Sequence, residues 1–220
     1  IDPNNQKVNF SVPTGNFGDV YAGYLAKKMG LPINKLIVAT NQNDILHRAI
    51  SKGSYEAQEV TETNSPSMDI QIASNFERLI YDINESNDLL TNNIMKGIKE
   101  TGKYHIAAKE LEKINSNFLS SSVSEEEVVK IIKNIYEKHK IMLDPHTAIG
   151  YGALKKVNID GINIILATAH PCKFPKAILE ATGVNEDLPE ELKFILDEKE
   201  NYDVIENNLD KIKQHIKERI

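Results

Sequence analysis

Residues Val8 to Gly30 read VNFSVPTGNFGDVYAGYLAKKMG, and this stretch decides the fold. Val8, Phe10 and Val12 alternate with Asn9 and Ser11, the period of a strand, and the run ends at Pro13. A turn bracketed by Gly15 and Gly18 follows, with Asn16 and Phe17 between them, and a helix is predicted from near Asp19. Glycines let a backbone approach a ligand closely and adopt conformations closed to other residues. A helix that starts there aims its unpaired amides and its positive dipole end at the turn. Strand, glycine turn and helix together form a place for an anion, most often a phosphate. A tight strand-to-helix turn without a ligand is the alternative.

What the turn lacks narrows the ligand. A nucleotide P-loop has Lys and Ser or Thr after its last glycine, whereas Gly18 is followed by Asp19 and Val20. The spacing of Gly15, Gly18 and Gly23 is not that of a dinucleotide fingerprint. An acidic residue beside the turn disfavours a polyphosphate, but a single phosphomonoester held by backbone amides needs no neighbouring cation. Pyridoxal phosphate fits that description, since its phosphate is an anchor and its ring does the chemistry.

SVPTGNFGDVYAGYLAKKMGLPI resembles the phosphate-binding segment of the threonine synthase family, pyridoxal-phosphate enzymes of the tryptophan-synthase-β-like fold group. Four further stretches resemble that family in order: ATNQNDIL at Ala39 to Leu46, SPSMDIQIASNFERL at Ser65 to Leu79, LDPHTAIGYGAL at Leu143 to Leu154, and ATAHPCKFP at Ala167 to Pro175. The resemblance implies an α/β fold with a parallel sheet and flanking helices. It implies that Gly15, Asn16, Phe17, Gly18 and Asp19 hold the cofactor phosphate, and that Thr168 meets the pyridine nitrogen. A neutral hydroxyl there leaves the nitrogen unprotonated and steers the cofactor toward elimination and replacement. Ser67, Asp69, Asn75 and Arg78 become candidates near the site, with Arg78 foremost because a guanidinium suits a phosphorylated substrate. The implied reaction converts O-phospho-L-homoserine and water to L-threonine and phosphate. Two alternatives are a related lyase acting on another phosphorylated substrate and a non-catalytic protein that binds a phosphate ligand.

The chain opens at Ile1 without a methionine and reaches its first strand within ten residues, which reads as a cut end. In the family the lysine that forms the Schiff base with the cofactor lies upstream of the GNFGD turn. The resemblance therefore implies the carboxyl-terminal portion of such an enzyme, inactive alone and partnered by its amino-terminal part. Lys27 and Lys28 are read as the solvated face of the helix after the turn, not as substitutes.

Composition fits these expectations. The 220 residues are 40% hydrophobic and 26% charged, with net charge -6, ordinary for a globular protein and unlike a basic nucleic-acid surface. The lone Cys172 rules out an internal disulfide or a multi-cysteine zinc cluster. Without a long apolar run or a leader-like start, the cytosol is the default compartment and no membrane contact is expected.

Farther along, KLIVAT at Lys35 to Thr40 is a continuous β-branched run, predicting a buried parallel strand that closes a βαβ unit with its ligand at the carboxyl edge. Asn41 and Asn43 are read chiefly as caps for a helix over Asp44 to Ser51. Gly53 to Pro66 reads as a loop. A helix with Phe76, Leu79, Ile80 and Ile83 on one face follows, and Met68 and Ile72 are assigned to the core. Residues 84–140 read as a three-helix insertion, with Ser120 to Ser122 marking a bend and Ser124 with Glu127 forming a capping box.

Asp144 and Pro145 start the next helix, and its His146 is read as a structural hydrogen-bonder or a substrate contact. Gly150 and Gly152 suggest close packing on the sheet. INIILAT at Ile162 to Thr168 is predicted as a third buried strand with Thr168 at its carboxyl end. Cys172 is read as packing, and Lys173 as a surface charge or a contact to substrate phosphate. Short helices are expected at Pro189 to Leu196 and Asn207 to Ile220.

Overall fold

The computed structural model describes residues 6–220, so the reading of Ile1 lies outside the described residues. In chain order the elements are β1 (Val8–Pro13), α1 (Gly18–Lys28), β2 (Ile33–Thr40), α2 (Ile45–Lys52), β3 (Ser54–Glu56) and α3 (Phe76–Ile83), with a 3-10 turn at Pro66–Met68. Then come α4 (Asp88–Thr101), β4 (Lys103–His105), α5 (Ala108–Asn115), β5 (Phe118–Ser122), α6 (Glu125–His139), α7 (Pro145–Val157), β6 (Ile162–Ile165) and α8 (Pro175–Thr182). Residues 187–220 make a separate compact unit containing a 3-10 helix at Glu190–Leu196 and α9 (Leu209–Lys217), where the Asn208 side chain caps the latter.

The main sheet runs β5-β2-β1-β6, with every pairing parallel. The central strands follow from sequence: Leu36 to Ala39 of β2 and Val12 of β1 are buried, as expected for strands covered on both faces. Helices α1, α2 and α3 bury one face of the sheet around Val20, Tyr24, Leu46, Phe76 and Phe118. Opposite, α6, α7 and α8 enclose Ile37, Ala39, Val128, Ile132, Ile149 and Ile178. A β-carbon on Gly150 would come within 3.0 Å of Ile165 and 3.2 Å of Pro13, so α7 packs closely on the sheet at this glycine, as predicted.

At the amino ends of the strands, the side chain of Asn9 links three of them. It donates to Asn163 Oδ1 at 2.9 Å and accepts from Asn34 Nδ2 at 2.9 Å and from the Lys35 amide at 3.2 Å.

Four expectations are corrected. Residues 84–140 supply the expected helices, including the Ser124–Glu127 capping box, but also β4, which pairs with β3, and β5, which forms an edge of the main sheet. Ser120 to Ser122, read as a bend, pair with Val38 to Thr40 through backbone groups that any residue supplies. The strand ending INIILAT is shorter than predicted and lies at the other edge, with Ile162 41% exposed, and Thr168 falls three residues beyond it. Ile72, assigned to the core, is 53% exposed, whereas Met68 is buried.

Candidate active site

The turn between β1 and α1 sits at the carboxyl edge of the sheet. Its left-handed residue is Phe17, with φ 70°, and neither bracketing glycine has a positive φ. A non-glycine residue pays about 1–2 kcal/mol for that conformation. Burial of the ring contributes about 1.5–3 kcal/mol in return, since Phe17 lies edge-on to Phe76 at 5.2 Å and near Phe118 at 5.7 Å. The aromatic ring thus pins the backbone that the sequence ascribed to glycine freedom.

Gly15 is needed for a different reason: a β-carbon there would collide with the Ser67 carbonyl oxygen. On the other side, Asn16 accepts through its backbone carbonyl from the Asn75 amide at 3.2 Å and through its side chain from the Ser74 amide at 3.2 Å. The turn is therefore clamped by residues 67–75. No side chain caps α1, and among the described residues the amides of Gly18, Asp19 and Val20 meet no protein acceptor; pairing begins with Tyr21 N donating to Phe17 O. Three free amides at the positive end of a helix dipole face the turn.

Beside the turn lies a cavity of about 270 Å³, bordered by Gly15, Asn16, Asp19, Ser67, His146, Thr168 and Lys173, with Pro13, Met68, Ala169 and Phe174 completing its wall. A contiguous recess is lined by Thr14 to Asp19 together with Asn75. Residues distant in sequence and singled out separately are thus brought together. Arg78 is not among them: it is exposed and borders a different surface cleft with Tyr21, Asn75 and Tyr81.

Asp69 is also outside the cavity, where it has another task. Its carboxylate accepts from Asn41 Nδ2 at 2.7 Å, Asn43 Nδ2 at 3.0 Å, the Thr63 amide at 2.8 Å and Thr63 Oγ1 at 2.6 Å. Asn41 and Asn43 do not cap α2, contrary to their sequence reading; their amides tie the end of β2 to the segment that carries Ser67. The carboxylate gathers four donors near the sheet edge, alongside the bonds from Asn41 to Ser65 and from Asn43 to Thr61, and this outweighs a local cap.

His146 stands at the start of α7. As expected, Asp144 caps the helix, accepting from the amides of His146 at 2.9 Å and Thr147 at 3.4 Å. The same carboxylate also meets His146 Nδ1 at 3.0 Å and accepts from Thr147 Oγ1, a pairing of side chains that the sequence reading did not anticipate. Burial alone would raise the Asp144 pKa, but the hydrogen bonds from His146 and Thr147 outweigh it and hold the carboxyl below its ordinary value. The D-P-H spacing, with an N-cap two residues before the histidine, was the available signal.

Residues 147–216 match the family model for the C-terminal region of threonine synthase. A threonine synthase of Pseudomonas aeruginosa is 40% identical over 96% of this chain, and that of Saccharomyces cerevisiae is 42% identical over 98%. The chain is similar to threonine synthases along nearly its whole length. It spans about half the length of the curated relatives it matches, 46% and 47% in these two threonine synthases. A crystal structure of threonine synthase from Brucella melitensis with PLP bound superposes with a TM-score of 0.89 at 42% identity, covering 98% of this chain and 47% of that one. The α/β arrangement expected from the Val8 to Gly30 stretch is therefore the threonine synthase fold.

Proposed function

We propose that this chain is the carboxyl-terminal portion of a pyridoxal-phosphate-dependent carbon–oxygen lyase that converts O-phospho-L-homoserine and water to L-threonine and phosphate. The observation that carries the reading is the cavity in which Gly15, Asn16, Asp19, Ser67, His146, Thr168 and Lys173 meet, beside the uncapped amino end of α1. The residues present fit the cofactor. Unpaired amides at Gly18 to Val20 suit a phosphate, Gly15 keeps the backbone close, and the exposed Thr168 places a neutral hydroxyl on the same cavity for the ring nitrogen.

When bound, the cofactor supplies an electron sink for ionising C–H bonds of an amino acid, so that a phosphate can leave. The residues of this chain bind and orient. The Gly15 to Asp19 turn fixes the cofactor phosphate, Phe174 and Met68 exclude water from part of the wall, and Lys173 offers positive charge to a second phosphate. The lysine that carries the cofactor belongs to the remaining portion of the enzyme, which is the expected partner.

Among the described residues no helix is long and apolar enough to cross a membrane, and we assign the enzyme to the cytoplasm. The 220-residue chain alone is expected to release no phosphate from O-phospho-L-homoserine, while its combination with the remaining portion is expected to restore turnover. Phosphate release by the chain alone, or none from the combination, would overturn the assignment.

A further inference from the structure

A histidine with one buried, unpartnered ring nitrogen borders the cavity. His146 is 5% exposed, and its Nε2 is buried without a hydrogen bond. The other ring nitrogen is occupied by Asp144 at 3.0 Å. His146 borders this cavity, whereas Asp144 borders the neighbouring cleft. The Phe174 ring covers His146 at a centroid distance of 4.9 Å.

An ionised Asp144 accepts only, so Nδ1 carries the proton and Nε2 is a bare acceptor. Other charged groups bordering the cavity are Asp19 from α1 and Lys173 from the 3-10 turn at Pro171–Lys173. A phosphate monoester keeps its second proton until about pH 6, and a bare ring nitrogen is an acceptor for that proton.

We propose that His146 takes the proton of the substrate's phosphate monoester. The phosphate O–H bond breaks, an Nε2–H bond forms, and the imidazolium, supported by Asp144, holds the resulting dianion together with Lys173. This phosphate is distinct from that of the cofactor at α1, and the inference rests on the function proposed above.

The test uses the full-length protein carrying this chain, with labelled histidine side chains and backbone amides followed by NMR. Pyridoxal phosphate is added first and is expected to shift the amides of Gly15 to Gly18. Inorganic phosphate is then expected to raise the His146 titration midpoint by about one pH unit, and Lys173→Gln to weaken that response. Before phosphate is added, the ring nitrogens should report Nδ1–H with Nε2 bare. An Nε2–H tautomer, or a midpoint that phosphate leaves unmoved while the amides have shifted, would overturn the role of His146 and leave the cofactor reading intact. Amides that ignore pyridoxal phosphate would remove that reading instead.

Discussion

The α-carbon of Gly15 faces the carbonyl oxygen of Ser67 so closely that a β-carbon would overlap it. The obstacle is backbone, held by the Asp69 network only two residues on, and it cannot rotate aside as a side chain would. Gly15→Ala is therefore expected to lose about 1–3 kcal/mol of stability and to weaken cofactor binding, read by thermal unfolding and by absorbance titration with pyridoxal phosphate. Wild-type values in both would show that the two segments are free to separate.

Gly18 makes the opposite case. Its β-carbon would meet only Asn75 Nδ2, at an ordinary 3.5 Å, and its φ is not positive. Gly18→Ala should fold with a stability change within about 0.5 kcal/mol. The bulkier Gly18→Val intrudes on the recess where the cofactor phosphate is expected and should lower affinity while leaving the unfolding temperature nearly unchanged. Undiminished pyridoxal-phosphate binding by the valine variant would take Gly18 out of the site.

Thr168 is exposed and outside β6, so Thr168→Val deletes a hydroxyl without opening a core cavity. Folding should be unaffected. If the hydroxyl meets the ring nitrogen, cofactor affinity should fall by about 0.5–1.5 kcal/mol, with an altered absorption spectrum. A spectrum and kinetics identical to wild type would count against the contact.

Asp144 sets an acid limb. Its carboxyl titrates below the ordinary value in the folded chain, so its stabilising contribution is full above the unfolded pKa of about 3.9 and is lost as pH falls through the folded value. Unfolding free energy should drop below about pH 4, and Asp144→Asn should flatten that drop while lowering stability at neutral pH. Parallel pH profiles for the two proteins would assign the acid sensitivity elsewhere.

Removal of the Asp69 carboxylate takes one acceptor each from Asn41 and Asn43, which keep their bonds to Ser65 and Thr61, and leaves the Thr63 amide without its partner. Asp69→Ala is expected to cost about 1–3 kcal/mol and to expose residues 57–65 to limited proteolysis, with weaker cofactor binding because Ser67 loses its support. An unchanged cleavage pattern would mean that the segment is held by other contacts.

The sequence disclosed the parts of the fold whose signal is local. KLIVAT announces a buried strand because each side chain is apolar, and Asp144 with Pro145 announces a helix start because capping involves neighbours. The turn was legible for the same reason, whereas Ser67 and Thr168 were candidates only through the resemblance to threonine synthases; the cavity gathers these with most of the others. FLSSS was missed because an edge strand is held by backbone pairing and needs no apolar run. The left-handed Phe17 was hidden because its stabilising partners, Phe76 and Phe118, are 59 and 101 residues away. Asn41 and Asn43 were misread since their partner, Asp69, lies 28 and 26 residues downstream. Arg78, a candidate through the resemblance, was ranked foremost by chemical suitability alone, and it borders another cleft.

The asparagine link at the amino ends of β2, β1 and β6 acts as a vernier for the opposite end of the sheet. Parallel strands advance about 3.3 Å per residue, and slippage by two residues would keep each side chain on its own face while carrying the Gly15 to Asp19 turn about 6.6 Å along the strand axis. Apolar packing alone discriminates weakly against such a slip, because one β-branched residue replaces another. Asn9 is 1% exposed, and its amide finds Asn163 while its carbonyl finds Asn34 and Lys35 in one alignment only. Polar groups remote from the cavity thereby set the height of its floor.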